Sequence, residues 1–115
     1  MKLVRDEIPR MHAEGRLRDH PVNGAEHRKT QAFRKAEPDE RLLLLRLKLA
    51  EETGEVLSAV RREHLLEELS DVWTVLSALV QAEGWTMEDV LSRAAEKAGV
   101  YGGLRQGWVL TEKTP

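Results

Sequence analysis

Four carboxylates stand where helical periodicity reserves places for core residues, and they constrain the fold more than any other feature of the chain. At about 100° per residue, Glu52 and Glu55 share a face with Leu45, Leu49 and Val56. Glu68 and Asp71 fall beside Leu65, Val72, Val75 and Leu79 by the same geometry. Glu51 turns toward the edge of its stripe, whereas Glu63 and Glu67 point outward. An ionised carboxylate among leucines and valines is strongly destabilising unless it is compensated. Two such pairs, each with i, i+3 spacing, call for a cation that both can reach.

That requirement decides how the leucine-rich centre must fold. No glycine or proline separates residues 56–83, so 42–82 could be written as one rod. In a rod, Glu52 and Glu68 would lie roughly 24 Å apart along the axis and about 160° around it, beyond the reach of one ion. A single helix of that length is also uncommon in a chain this short. Arg61-Arg62 followed by Glu63 is the charge order expected where one helix ends and the next begins. The sequence therefore predicts a tight turn within residues 59–64 and an antiparallel helix pair.

The remaining elements follow from caps and breakers. Residues 2–8 form an apolar and charged lead-in, followed by a short helix with Pro9 in its first turn and Gly15 at its end. Residues 16–38 lose periodicity around Pro21 and Asn23-Gly24 and read as a long loop containing a brief strand or turn. The first long helix starts near Pro38-Asp39-Glu40 and extends to about Arg61, with Leu42, Leu45, Leu49 and Val56 inward. The second covers 63–82 and stops at Gly84, with Leu65, Leu69, Val72, Leu76 and Leu79 inward. A third begins after Thr86, with Asp89 three residues on, and ends near Ala98-Gly99. A glycine-bearing tail carries Trp108-Val109-Leu110. The fold class is all-α, in one domain over residues 1–115.

Composition excludes several alternatives. With 115 residues the chain has room for one core. Eighteen Lys and Arg oppose twenty Asp and Glu, so no global field recruits nucleic acid or an anionic membrane. The chain has no cysteine, which removes disulfides, thiolate catalysis and thiolate zinc sites. No signal peptide or membrane-length apolar run is visible, and the expectation is a cytoplasmic protein.

Carboxylate oxygens are the natural ligands of Mg²⁺, with Mn²⁺ as the close alternative. A lone Glu-Glu-x-x-Glu is usually a solvated helix face; two pairs in phase with leucine stripes are not. A ferritin-like di-iron site would require Glu-x-x-His motifs, and the chain has none. His64, one turn before Glu68, reads as a helix-end histidine, and Trp73, Trp85 and Trp108 as packing or interface residues.

The pattern Glu51-Glu52-x-x-Glu55, followed after twelve residues by Glu68-x-x-Asp71, resembles the all-α nucleoside triphosphate pyrophosphohydrolases of the MazG type. The opening Lys2-Leu3-Val4-Arg5-Asp6-Glu7-Ile8-Pro9 resembles the "KLVRDKIP" start of a phosphoribosyl-ATP pyrophosphohydrolase-like branch. Glu96-Lys97, Gly102-Gly103-Leu104 and Gly107-Trp108-Val109-Leu110 stand where that branch has a Glu-Lys pair, a Gly-Gly-Phe segment and a closing Gly-Ile-Val-Leu. Residues 16–38 have no counterpart in the resemblance.

The resemblance implies Mg²⁺-dependent hydrolysis between the α- and β-phosphates of a nucleotide, yielding a nucleoside monophosphate and pyrophosphate. It implies that Glu52, Glu55, Glu68 and Asp71 are metal ligands and that Glu51 orients or deprotonates the attacking water. Val100-Tyr101 replace the basic residues that commonly precede the paired glycines, leaving Lys97, Arg105 and Lys48 as candidate phosphate contacts. For Lys48 a salt bridge to a neighbouring acid is the plain alternative. Arg5 and Asp6 suit anchoring of the N-terminus near the site.

Two long helices and a short one leave an apolar side uncovered, so a homodimer completing a four-helix bundle, or a homotetramer of two dimers, is expected. Three functional readings stay open. They are a nucleoside triphosphate pyrophosphohydrolase, a phosphoribosyl-ATP pyrophosphohydrolase, and a non-catalytic helical oligomerisation or regulatory module.

Overall fold

The computed structural model describes residues 1–16 and 33–112, and among these the regular structure is entirely helical. The turn expected at Asn23-Gly24 lies outside the described residues. Four helices follow in order: α1 (Ile8–Ala13), α2 (Pro38–Ser58), α3 (Arg62–Ala82) and α4 (Met87–Tyr101). The chain divides into two compact units, Met1–Leu79 and Val80–Pro115. No helix among the described residues is long and apolar enough to cross a membrane.

In the first unit, α1 carries proline in its first turn and is followed by Gly15 at φ 69°. Helix α2 opens with proline in its first turn and Asp39 and Glu40 beside the positive end of the helix dipole. The Glu40 carboxylate accepts the Glu37 N–H at 3.2 Å and is clamped by Arg34 through bonds of 2.8 and 2.7 Å.

The turn expected within residues 59–64 is present, and neither glycine nor proline makes it. Helix α2 ends at Ser58, three residues earlier than the sequence suggests, because Ala59 adopts an extended conformation (φ −69°, ψ 126°). The Arg61 carbonyl accepts the first bond of the next helix from the Leu65 N–H at 2.9 Å. Thr53 and Ser58 hydroxyls donate to the carbonyls of Leu49 and Gly54, the back-bonding that weakens a helix near its end.

The core departs from the expected stripes. On α2 the buried residues are Leu44, Leu45, Lys48 and Glu52, whereas Leu42, Leu49 and Val56 are only half-buried. The buried stripe is thus rotated by roughly 75° from the predicted one. Leucine at 42–45 supplies an apolar group at every azimuth, so hydropathy could not set the phase. On α3, Val75 is buried, while Leu65 and Leu69, expected inward, are exposed at 37% and 48%. They lie with Leu66 and Trp73 on an uncovered stripe.

In the second unit, Trp85 N–H donates to the Val80 carbonyl and Gly84, at φ 87°, turns the chain out of α3. Helix α4 opens with a capping box: Asp89 N–H donates to Thr86 Oγ1, and Thr86 N–H donates to Asp89 Oδ2. It passes through Gly99, the expected stop, and ends at Gly102, whose N–H donates to Ala98 O at 2.8 Å. An interior glycine costs a helix only about 1 kcal/mol, which the preceding well-capped turns absorb.

Candidate functional site

The break at 59–61 folds α3 back along α2 and brings acids from the two helices together. One carboxylate oxygen from each of Glu52, Glu68 and Asp71 lies within 4.8 Å of the other two. Opposite ligands in an octahedral Mg²⁺ shell are about 4.2 Å apart, so the group is close to the span such an ion requires. Glu52 is buried at 5% exposure, and Glu68 and Asp71 are half-buried.

The electrostatics are uneven around this group. Lys48, one turn before Glu52, is buried with it, and its Nζ lies 3.4 Å from Glu52 Oε1 and 3.6 Å from Glu51 Oε2. Neither contact is a well-formed hydrogen bond, and the buried ammonium has none among the described residues. Asp71 is paired with Arg5, whose Nη2 donates to Oδ1 at 2.7 Å. Glu51 also receives Lys2 Nζ at 3.5 Å. Glu68 has no cation beside it among the described residues. Partial burial, and then the charges of Asp71, Glu55, Glu52 and Glu67, hold its carboxyl above the ordinary range.

These observations locate each residue singled out in the sequence. Glu52, Glu68 and Asp71 converge. Glu55 is exposed and stands outside the three-oxygen group, although its charge still reaches Glu68. Glu51 sits half-buried at the margin of the cluster, held by two ammonium groups. Lys48 is turned onto acids, the plain alternative to phosphate contact. Lys97 on α4 and Arg105 in the tail are exposed and belong to the second unit, whereas the acid cluster is built within the first. Glu63, Glu67 and His64 are exposed.

The N-terminal segment contributes more than the sequence suggested. Leu3 and Val4 are half-buried while Lys2 and Arg5 are exposed, so the segment seats its apolar pair and places one cation on α2 and one on α3. Arg5 ties the segment to Asp71 on α3 through its 2.7 Å bond. Lys2 opens the N-terminal signature to which Arg5 belongs, but no role for Lys2 was legible in the sequence.

The donor set fits a hard divalent cation. It offers only carboxylate oxygens, contains a buried acid, and includes an acid whose ionisation is resisted by its neighbours. The model for the MazG nucleotide pyrophosphohydrolase domain matches residues 40–99, which include most of α2, all of α3 and most of α4. No curated protein and no solved structure matches the chain. With over half its residues matched, and with that segment carrying all three converging carboxylates, the chain belongs to the MazG nucleotide pyrophosphohydrolase domain family.

Proposed function

We propose that the protein is a Mg²⁺-dependent nucleotide pyrophosphohydrolase that converts a nucleoside triphosphate to its monophosphate and pyrophosphate. The observation that carries this reading is the convergence of Glu52, Glu68 and Asp71 in a chain of the MazG family. Mn²⁺ is the alternative ion.

In this reading Glu52, Glu68 and Asp71 hold the ion, with Glu55 available from the next turn of α2. The bound ion would offset the charge of the polyphosphate and lower the pKa of a coordinated water. Glu51, adjacent in sequence to Glu52, would accept the proton as the water oxygen bonds to the α-phosphorus and the α–β anhydride bond breaks. Lys48 steadies both glutamates from inside the helix pair. The leaving group is pyrophosphate, and no covalent enzyme intermediate is needed.

The uncovered stripe of Leu65, Leu66, Leu69 and Trp73 on α3 supports assembly into a homodimer that completes a four-helix bundle. A tetramer of two such dimers is compatible with the same stripe.

Pyrophosphate release should be followed for deoxy- and ribonucleoside triphosphates and for phosphoribosyl-ATP with Mg²⁺ and with Mn²⁺. Release that Glu52→Ala and Glu68→Ala abolish is the expected result. Turnover of phosphoribosyl-ATP alone would select the second enzymatic reading. A chain that binds the ion but releases pyrophosphate from none of these substrates would instead be a regulatory module.

A further inference from the structure

An acidic cluster that must receive a polyphosphate needs a cation at its rim, and Lys48 is poorly placed to supply it. Its side chain is only 10% exposed and its Nζ faces Glu51 and Glu52. Arg5 is different: its side chain is 61% exposed, and Nη2 is the nitrogen engaged, by Asp71 Oδ1 at 2.7 Å. We propose that Arg5 is a phosphate-contacting residue of this site, anchored to Asp71 through one nitrogen and presenting the rest of its guanidinium to the substrate's polyphosphate. The inference rests on the nucleotide-hydrolysis reading above and adds to it a residue outside the segment matched to the family, 40–99.

The chemistry of the side chain supports this role. A guanidinium carries five N–H donors in a rigid fork, so it can hold a carboxylate on one edge and a phosphate on another. Asp71 itself belongs to the three-carboxylate group, which puts the guanidinium at the edge of the place where a metal-bound phosphate would lie. The backbone around Arg5 is also held: its carbonyl accepts the Ile8 N–H at 3.0 Å, and the neighbouring Leu3 and Val4 are half-buried. Less freedom is therefore lost when the side chain engages a ligand than for a cation on a loose terminus. Lys2, beside Glu51, extends the same positive rim.

The test is calorimetric titration of the full chain and of Arg5→Ala with two probes: Mn²⁺ alone, and inorganic tripolyphosphate in the presence of Mg²⁺. Loss of one charge-assisted contact should weaken tripolyphosphate binding about tenfold, while Mn²⁺ affinity stays within about threefold. If Mn²⁺ and tripolyphosphate affinities fall together, Arg5 merely orients Asp71 and the proposal is overturned. Unchanged tripolyphosphate binding overturns it as well. Should Arg5→Ala not fold, Arg5→Gln, which keeps a donor for Asp71 but removes the charge, decides by the same readout. Failure of the wild-type chain to bind either probe or to release pyrophosphate would remove the underlying hydrolase reading, an outcome distinct from a wild-type result that Arg5→Ala leaves unchanged.

Discussion

Lys48 and Glu52, one turn apart on α2, form a buried ion pair with 3.4 Å between Nζ and Oε1. Breaking such a pair from one side leaves an uncompensated buried charge, a loss of about 3–5 kcal/mol. Lys48→Met should therefore destabilise the metal-free chain by about 3 kcal/mol in urea titrations. Saturating Mg²⁺ should narrow that gap, because the dication replaces the missing ammonium. A gap of equal size with and without Mg²⁺ would count against the metal site.

Glu68 tests the same site with the opposite sign. Its carboxyl is held above the ordinary range, so its contribution to stability is greatest below that range and is lost as pH rises through the raised value. Without metal, Glu68→Gln should raise the melting temperature near neutral pH and remove the fall in stability that begins above the ordinary carboxylate range. With Mg²⁺ at about a hundred times its dissociation constant, the wild-type chain should gain about 2.7 kcal/mol, or roughly 10 °C, and the variant far less. Scanning calorimetry in chelator and in Mg²⁺ measures both shifts; equal metal responses would contradict the assignment.

Glu51 and Glu52 are adjacent yet should separate in kinetics. Glu51→Gln should lower kcat by about 10²–10⁴, the usual contribution of a general base, and leave Mn²⁺ affinity nearly unchanged. Glu52→Ala should lose both. Pyrophosphate release paired with Mn²⁺ titration distinguishes the two, and a Glu51→Gln chain with full kcat would remove the proton-accepting role.

Far from the acid cluster, Glu40 supplies a pH signature of its own. Its carboxyl is lowered to about 2, first by the hydrogen bonds from Arg34 and then by the Glu37 N–H. A depressed carboxylate stabilises above its ordinary pKa and loses that contribution as pH falls through the depressed value. Glu40→Gln should therefore melt below wild type at pH 6, with the difference shrinking as pH falls from about 4.5 toward 2. A constant difference across that window would show that the Arg34 clamp is not the cause.

The stripe of Leu65, Leu66, Leu69 and Trp73 predicts self-association. Leu69→Lys with Trp73→Lys should yield a monomer by analytical sedimentation, and that monomer should lose pyrophosphate release. Full activity in a species sedimenting as a monomer under assay conditions would refute the dependence on assembly.

Much of the fold was legible because its signals are local. Pro38 with Asp39 and Glu40, and Thr86 with Asp89, announce helix starts through hydrogen bonds made within a few residues. The break between the long helices could be inferred only from charge order and from the impossibility of uniting the acids along a rod. Its location at Ala59 depends on one residue taking an extended conformation that alanine itself does not demand. The phase of the α2 stripe was hidden for a related reason: consecutive leucines satisfy every face, and only the neighbours choose one.

By itself, the sequence determined that the chain is helical and which acids are candidates to hold a cation, since periodicity and residue type are properties of short segments. Tertiary structure alone decided that Glu52, Glu68 and Asp71 converge while Glu55 stands aside, and that Lys48 turns inward to the acids. It also decided that Arg5, sixty-six residues from Asp71 along the chain, reaches it. Contacts at such separations depend on how helices rotate and fold back against one another, and no local pattern encodes that rotation.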